Sequence, residues 1–330
     1  MSPSEIEALQ QELNQVLPYF DRLKQTMHQV IIGQQGLVQR LLIALLGDGH
    51  ILLEGMPGLA KTLSISTLAQ AVQAQFKRVQ FTPDLLPADV VGTRIYNPET
   101  RIFEVKQGPI FTNFLLADEI NRAPPKVQSA LLEAMQERQV TIGEHTYPLS
   151  APFLVLATQN PLEQEGTYPL PEAQLDRFML KVQVDYPSPA EELQIIDQHM
   201  QKSSANPLEH TLKAEDILAA RRLINRIYID DKIKRYVVDL VYATRSPDVY
   251  KLDLKDLIRA GASPRASIYL AHCARVHAFL NQRAFVIPED VKAMAHDVMR
   301  HRISLTYEAE AQELSAETLV QQILDHVKAP

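Results

Sequence analysis

The sequence has one cysteine, Cys273, and no hydrophobic run of membrane-spanning length. A lone cysteine cannot form an internal disulfide, which excludes a disulfide-stabilised scaffold. The longest apolar runs, such as residues 41–46, are far shorter than the roughly 18 residues that a membrane helix needs. The first residues are acidic, with Glu5 and Glu7 where a signal peptide would be basic. We therefore expect a cytoplasmic protein without a membrane span.

Positive charge is also scarce, because the chain carries a net charge of −7. An acidic chain gains little from the release of counterions on nucleic acid, so we expect no nucleic-acid partner. Of the 330 residues, 46% are hydrophobic and 22% are charged, which excludes a disordered chain. No internal repeat and no low-complexity segment is visible. The composition is that of one large folded domain or two smaller ones.

Apolar segments of strand length alternate with helical patterns in the first half of the chain. We expect strands over residues 50–54, 79–82, 114–117 and 153–158, and helices over 62–75 and 125–138. A helical lead-in over residues 4–29, broken or kinked at Pro18, and a helix over 34–46 precede them. Such alternation predicts an α/β fold whose parallel sheet is covered by helices on both faces.

Two segments interrupt this alternation, and the pattern changes after residue 188. Residues 91–111 contain glycines and prolines and look like an insertion, and residues 140–149 look like a hairpin turning at Gly143-Glu144. From residue 189 onward the patterns are almost all helical. We therefore divide the chain into a lead-in (1–29), an α/β core (30–188) and an all-α domain (189–330).

A glycine-rich loop joins the strand at 50–54 to the helix that follows. It reads Gly55-Met56-Pro57-Gly58-Leu59-Ala60-Lys61-Thr62, and Leu63 continues it into the helix. Such a loop turns its N–H groups around phosphate oxygens, with Lys61 for the β/γ-phosphates and Thr62 for Mg²⁺. The strict pattern has glycine where this chain has Ala60, and we expect that position not to need a positive φ. The alternative is a glycine turn before an ordinary helix.

Polar residues follow two later strands. Asp118 and Glu119 end the run Phe114-Leu115-Leu116-Ala117, where open α/β sheets bind ligands. Asp118 would hold Mg²⁺, directly or through water, and Glu119 would polarise the attacking water. Asn160 follows the strand predicted over residues 153–158 and could orient that water. The alternatives are a solvated strand end for the two acids and an Asn-Pro turn without chemistry for Asn160.

Taken together, these motifs resemble those of the AAA+ ATPases, and within them the MoxR-type branch. The resemblance covers roughly residues 30–310. It rests on Gly55–Thr62 with alanine before the lysine, Leu116-Ala117-Asp118-Glu119-Ile120-Asn121-Arg122, Ala157-Thr158-Gln159-Asn160-Pro161 and Leu170–Phe178. It implies a P-loop core, a helical lid and a ring, usually hexameric, with ATP between neighbouring subunits. Residues 91–111 resemble the helix-2 insert of that clade, and 140–149 resemble its hairpin before sensor 1.

The resemblance also implies residue roles. Lys61 and Thr62 would be Walker A residues, Asp118 and Glu119 Walker B residues, and Asn160 sensor 1. Arg177 resembles the arginine finger, although a surface pair with Asp176 would look the same, and Arg122 is a second inter-subunit candidate. Arg265, after Pro264 at a helix start, resembles sensor 2, and an ordinary solvated arginine is the alternative. The segment with Ile32 and Gly33 resembles the stretch along the adenine ring, although any apolar turn could look similar.

The function that this resemblance implies is chaperone-like. We expect ATP hydrolysis with Mg²⁺ to drive remodelling, maturation or metal loading of a client protein, commonly with a von Willebrand factor A domain protein. A nucleotide-gated scaffold with negligible turnover stays open as an alternative, and Glu119 and Arg177 argue against it. A DNA-dependent motor is the other alternative, and the net charge argues against it.

Overall fold

The computed structural model of the chain describes residues 2–56, 58–161, 166–200 and 212–330. Its first part forms α1 (Pro3–Val30), α2 (Gln35–Leu46), β1 (Ile51–Glu54), α3 (Lys61–Ala71), β2 (Phe76–Gln80), α4 (Pro87–Val91), β3 (Gly92–Asn97), β4 (Ile102–Gln107), β5 (Phe114–Asp118), α5 (Pro125–Glu137), β6 (Gln139–Ile142), β7 (His145–Pro148), β8 (Leu154–Gln159), α6 (Glu172–Leu175), β9 (Leu180–Gln183) and α7 (Pro189–Met200). Its second part forms α8 (Ala214–Arg226), α9 (Asp231–Ala243), β10 (Ile258–Ala260), α10 (Pro264–Leu280), α11 (Pro288–Met299), β11 (Ser304–Leu305), α12 (Tyr307–Ala311) and α13 (Ala316–His326).

Five strands form the main sheet, in the order β2-β5-β8-β1-β9. The pairs β2/β5, β5/β8 and β1/β8 are parallel. The register places Gln80 beside Asp118 at one end, and Glu54 beside Gln159 at the same end of their pair. The carboxyl ends of these strands therefore meet at one rim of the sheet.

The central strands are apolar because both faces of the sheet are covered. Residues 51–53, 114–117 and 154–157 are all buried. Strands buried on both faces have no solvent side to carry polar residues, so their sequences read as continuous apolar runs. The strands predicted over 50–54, 114–117 and 153–158 are confirmed, each shifted by a residue or less at its ends.

The prediction for β2 was wrong in its bounds. The strand covers Phe76–Gln80 and not residues 79–82, and helix α3 ends at Ala71 and not at residue 75. Gln73 has a φ of 48° and turns the chain between the two elements. As an edge strand, β2 keeps exposed polar side chains, so the apolar run that marks the central strands is missing from it.

Pro18 does not break the lead-in helix, since α1 runs from Pro3 to Val30 through it. Pro18 lies on an exposed side of the helix, and so does Asn14, whose carbonyl would otherwise accept its missing N–H. Water can satisfy that carbonyl, which lets the helix continue. The helices predicted over 34–46 and 125–138 are confirmed within one residue at their ends.

The two interruptions of the α/β pattern are both antiparallel hairpins. Strands β3 and β4 pair over Gly92–Asn97 and Ile102–Gln107, which accounts for the insertion at 91–111. Gly92 has a φ of 103°, and a Cβ there would lie 2.4 Å from the carbonyl oxygen of Lys106, so a glycine is needed. The hairpin predicted over 140–149 is confirmed as β6 and β7, with Gly143 at a φ of 66°.

The chain divides into two compact units. The sheet unit comprises Asp21–Phe178 and Val182–Leu218, and the helical unit comprises Met1–Phe20, Met179–Lys181 and Ala219–Pro330, as far as their residues are described. Neither unit is one continuous segment of the chain. The division that we predicted, with boundaries at residues 30 and 189, consists of continuous segments and stays a prediction. No helix in the described ranges has the length and apolar character to cross a membrane.

The helical unit is built around α9, α10 and α11, which pack on one another. The first part of α1 belongs to it, with Phe20 edge-on to Phe279 at 5.4 Å between ring centroids. The guanidinium of Arg226 donates to Glu12 of α1 at 2.8 Å within the same unit. A short antiparallel pair, β10 and β11, is an addition to the expected helices.

Candidate functional site

A cavity of about 430 Å³ opens at the rim where β1, β5 and β8 end. It brings together ten of the predicted site residues: Gly55, Gly58, Leu59, Ala60, Lys61, Thr62, Leu63, Asp118, Glu119 and Asn160. Three side chains that carried no prediction also line it, namely Arg78, Gln80 and Thr158. Because all of them belong to the sheet unit, this site is built within one compact body.

The glycine-rich loop is shaped by close backbone approaches and by left-handed residues. A Cβ on Gly55 would lie 2.7 Å from the carbonyl oxygen of Val184, so the first loop position has room only for glycine. Gly58 has a φ of 86°. Ala60 has a φ of 56° where helix α3 begins, and our expectation that this position avoids positive φ was wrong. Alanine there carries a conformational cost that glycine would not.

The Lys61 ammonium lies at the start of α3 and donates a hydrogen bond to the carbonyl oxygen of Gly55. Burial lowers the pKa of Lys61, and the nearby carboxylates of Asp118, Glu119 and Glu54 act in the opposite direction. A cation that has lost part of its hydration attracts an anion more strongly than a fully hydrated one. The loop therefore presents a partly desolvated positive charge to the cavity.

Both carboxylate oxygens of Asp118 have partners. The Thr158 hydroxyl donates to Oδ1 at 2.5 Å, and the guanidinium of Arg78 contacts Oδ2 through Nη2 at 2.6 Å and Nε at 3.2 Å. Arg78 comes from the edge strand β2, where the register places Gln80 directly opposite Asp118. The sequence could have indicated Arg78 and Gln80 only by their position near the carboxyl end of a strand. Because the predicted bounds of β2 were wrong, that position was not recognised.

Glu119 is held in a strained backbone position, with a φ of 55°. Its N–H donates to the Thr158 hydroxyl at 2.9 Å, so this one hydroxyl links both acids to β8. Its Oε2 accepts from Gln80 at 2.7 Å and from Arg122 at 3.0 Å. Arg122, which the sequence suggested as an inter-subunit candidate, thus pairs with a carboxylate of its own chain.

The loop after Glu119 is tied to the segment that leads to Arg177. The Tyr168 N–H donates to the Asn121 carbonyl at 2.6 Å. The fully buried amide of Gln128 donates to the carbonyls of Ile120 and Ala123, and to that of Tyr168 at 3.0 Å. Arg177 itself lies half-buried just after α6 and does not line the cavity.

Arg265 lies in the helical unit, at the second residue of α10. The Ser263 hydroxyl caps that helix by accepting from the Arg265 N–H at 3.2 Å. A Cβ on Gly261 would lie 2.4 Å from the carbonyl oxygen of Thr244, so the loop before the helix is packed tightly against α9. The predicted sensor-2 arginine is therefore placed at a well-anchored helix start.

Three predicted nucleotide contacts among the described residues do not line the cavity. Ile32 and Gly33 lie before α2, where Gly33 has a φ of 75° and packs against Glu191 of α7. Met56 lies in the loop and is not a lining residue. Pro57 lies outside the described residues.

Comparisons with known proteins agree with this geometry. The family described as "ATPase family associated with various cellular activities (AAA)" matches residues 50–180, and its lid domain matches residues 252–323. A crystal structure of a Cytophaga hutchinsonii protein assigned as an ATPase superposes with a TM-score of 0.92 at 48% identity, covering 99% of both chains. The predicted class, an AAA core with a parallel sheet followed by a helical lid, is thereby confirmed.

Curated relatives match over most of the chain. Chaperone MoxR1 of Mycobacterium tuberculosis is 49% identical over 302 residues, which cover 91% of this chain and 80% of that protein. The Bacillus subtilis protein YeaC, named as uncharacterized, is 44% identical over 98% of both chains. MoxR of Paracoccus denitrificans is 33% identical over 90% of this chain and 91% of that protein. The chain therefore belongs to the MoxR family of AAA ATPases, as the resemblance of its motifs predicted.

Proposed function

We propose that the chain binds ATP with Mg²⁺ in the cavity at the sheet rim and hydrolyses its terminal phosphate. One observation carries this proposal: the glycine-rich loop, the Lys61 ammonium and the carboxylates of Asp118 and Glu119 line the same cavity. Phosphoryl transfer depends on positioning and on stabilising charge, and this arrangement supplies both. The cavity residues lie in elements fixed by a buried sheet, which favours a pre-organised site.

The donor set fits a magnesium ion. Mg²⁺ is usually held by one or two side-chain oxygens together with phosphate oxygens, and both Thr62 and Asp118 present oxygen donors at the cavity. Among the described residues there is no cluster of three or more His, Cys, Asp or Glu side chains that could hold a metal without a nucleotide. When bound, the ion would neutralise charge on the phosphates. Thr62 and Asp118 are the residues that would hold it.

We propose the remaining roles for residues that line the cavity. Lys61 would contact the β/γ-phosphates, Glu119 would polarise the attacking water, and Asn160 would orient it. The N–H groups of the loop would cradle the phosphates at the start of α3. Ile32, Gly33, Met56, Pro57 and Leu63 stay predicted nucleotide contacts.

We infer that the working form is a homo-oligomeric ring, hexameric by family resemblance. Arg177, which does not line the cavity of its own chain, would act on ATP held by a neighbouring subunit, and Arg265 would contact the phosphates from the lid. Hydrolysis would then remove contacts to the γ-phosphate and shift the core and lid between two arrangements. Mixing Arg177→Ala with Glu119→Gln subunits tests this, since the intact finger of one should restore phosphate release at the other.

The family relationship supports a chaperone-like role, and the cytoplasm is the location that we propose for it. A relative 49% identical to this chain is named a chaperone, and we propose that this chain likewise remodels, matures or assists metal loading of a client protein. A von Willebrand factor A domain protein is the partner that we propose for it. We expect DNA neither to bind at moderate salt nor to stimulate turnover, because the chain is acidic.

Phosphate release by the assembled protein tests the enzymatic part. We expect turnover with ATP and Mg²⁺, loss of nucleotide binding in Lys61→Ala, and retained binding without turnover in Glu119→Gln. A wild-type rate equal to that of Glu119→Gln would instead favour the nucleotide-gated scaffold. A pull-down with the Glu119→Gln variant in the presence of ATP is the experiment that identifies the client. Lys61→Ala is its control, because that variant should hold neither nucleotide nor client.

A further inference from the structure

Arg78, the cation that pairs with the proposed magnesium ligand Asp118, comes from the edge of the sheet. Arg78 lies in β2, two residues before Gln80, and side chains two apart on a strand project from the same face. Gln80 is the register partner of Asp118. The long side chain of Arg78 therefore reaches along the strand to the end of β5.

The contacts of Arg78 with Asp118 involve one particular oxygen of the carboxylate. Its Nη2 and Nε lie 2.6 Å and 3.2 Å from Oδ2 of Asp118, while Oδ1 accepts a hydrogen bond from the Thr158 hydroxyl at 2.5 Å. Thr158 is buried and also accepts from the Glu119 N–H, so Oδ1 is held by a fixed group. Oδ2 is consequently the oxygen of Asp118 that can exchange its partner.

The two members of this ion pair differ in solvent exposure. The Arg78 side chain is 50% exposed and that of Asp118 is 18% exposed. A half-exposed guanidinium regains water when it leaves, so breaking an exposed pair costs little. A divalent ion held at Oδ2, directly or through a water molecule, and a guanidinium on the same oxygen would repel each other. The two cations would therefore compete for Oδ2.

We propose that Arg78 competes with Mg²⁺ for Oδ2 of Asp118 and thereby sets the free Mg²⁺ concentration that the nucleotide site needs. The proposal rests on the nucleotide site described above. Arg78 keeps the carboxylate neutralised until the ion arrives with the nucleotide, and then moves into solvent. Its removal strengthens the metal's contribution to nucleotide binding without removing any magnesium ligand.

The test measures binding and needs no turnover. ADP carrying a fluorescent N-methylanthraniloyl group is titrated with the full chain in excess EDTA and at several free Mg²⁺ concentrations. The quantity compared is the factor by which Mg²⁺ tightens binding. In Arg78→Gln we expect this factor to rise roughly two- to fivefold, with half-saturation at lower Mg²⁺, as expected for the loss of one exposed ion pair.

Lys77→Gln is the matched control, because it removes the same charge from the neighbouring residue of β2, whose side chain projects from the opposite face. We expect it to leave the factor unchanged. In an Asp118→Asn background, Arg78→Gln should have no effect, since the contested oxygen has lost its charge. Thermal unfolding of each variant shows that the fold is retained.

Three outcomes overturn the proposal. Equal factors in wild type, Arg78→Gln and Lys77→Gln would show that Arg78 does not compete with the ion. A loss of binding in EDTA confined to Arg78→Gln would make Arg78 a phosphate ligand instead. If the wild-type chain bound no labelled ADP even with Mg²⁺, the proposed function itself would fail. That result differs from the first outcome, in which the wild-type chain binds labelled ADP and only the role of Arg78 fails.

Discussion

The central strands β5 and β8 and the edge strand β2 meet at the same rim but supply different kinds of group. The residues of β5 and β8 that lead to the rim are buried, and they end in Asp118, Glu119 and Asn160. Strand β2 is largely exposed, and it ends in Arg78 and Gln80, which pair with the two acids. The buried strands fix where charge is placed, and the edge strand supplies partners that can move away.

The rate of ATP hydrolysis should show the largest difference between substitutions at the buried strand β5 and at the edge strand β2. Glu119→Gln removes the proposed base, and we expect phosphate release to fall by roughly 10²–10⁴ while nucleotide stays bound. Gln80→Leu removes only an exposed hydrogen-bond partner of Glu119, and we expect phosphate release to change by less than about tenfold. Steady-state phosphate release with saturating ATP measures both, and equal losses would contradict the division between fixed and adjustable groups.

Stability offers a matched pair of substitutions. Val155→Ala deletes two methyl groups at a fully buried position of β8, and we expect it to lower the free energy of unfolding by about 2–3 kcal/mol. Val79→Ala makes the same change on partly buried β2, and we expect about 1 kcal/mol or less. Urea unfolding of the nucleotide-free chain checks both. A larger loss at Val79 would mean that the edge strand is as tightly packed as the centre.

Thr158 connects the two proposed Walker B acids to β8. Thr158→Val keeps the shape of this buried side chain but removes its hydrogen bonds to Asp118 and to the Glu119 N–H. We expect a loss of about 1–2 kcal/mol in unfolding free energy together with slower phosphate release, because a partly buried N–H is left without its partner. Thr67→Val, another buried threonine in the sheet unit, controls for the substitution itself. Normal turnover in Thr158→Val would contradict a positioning role for this hydroxyl.

The smallest effect is expected in the loop. Ala60→Gly relieves a positive φ but adds freedom to the unfolded chain, so the two terms nearly cancel. We expect the free energy of unfolding to change by about 1 kcal/mol or less, and nucleotide affinity to stay within a few-fold. A large loss of nucleotide affinity, measured with labelled ADP, would show that the alanine methyl group has a role of its own.

The sequence was most informative where structure and chemistry are local. The runs before Gly55, Asp118 and Asn160 are apolar because their strands are buried on both faces, so the sequence predicted the sheet and the residues at its rim. The phosphate-loop residues stand next to one another in the chain, so their spacing alone predicted the loop and the start of α3 within a residue.

Other features depend on contacts that no local pattern encodes. The bounds of β2, and hence the places of Arg78 and Gln80, follow from its pairing with β5 more than thirty residues later. Likewise, the loop after Glu119 is tied to Tyr168 by backbone groups, which leave no mark in the sequence.

The sequence by itself thus determined the buried strands, the phosphate loop and the acids that follow β5, because burial and backbone geometry restrict which residues can occupy those positions. Only the tertiary structure decided which cation neutralises Asp118, which amide contacts Glu119 and which part of α1 joins the helical unit. The physical reason is that an exposed polar side chain is compatible with many environments. Its partner is therefore selected by the packing of distant segments and not by its own neighbours in the chain.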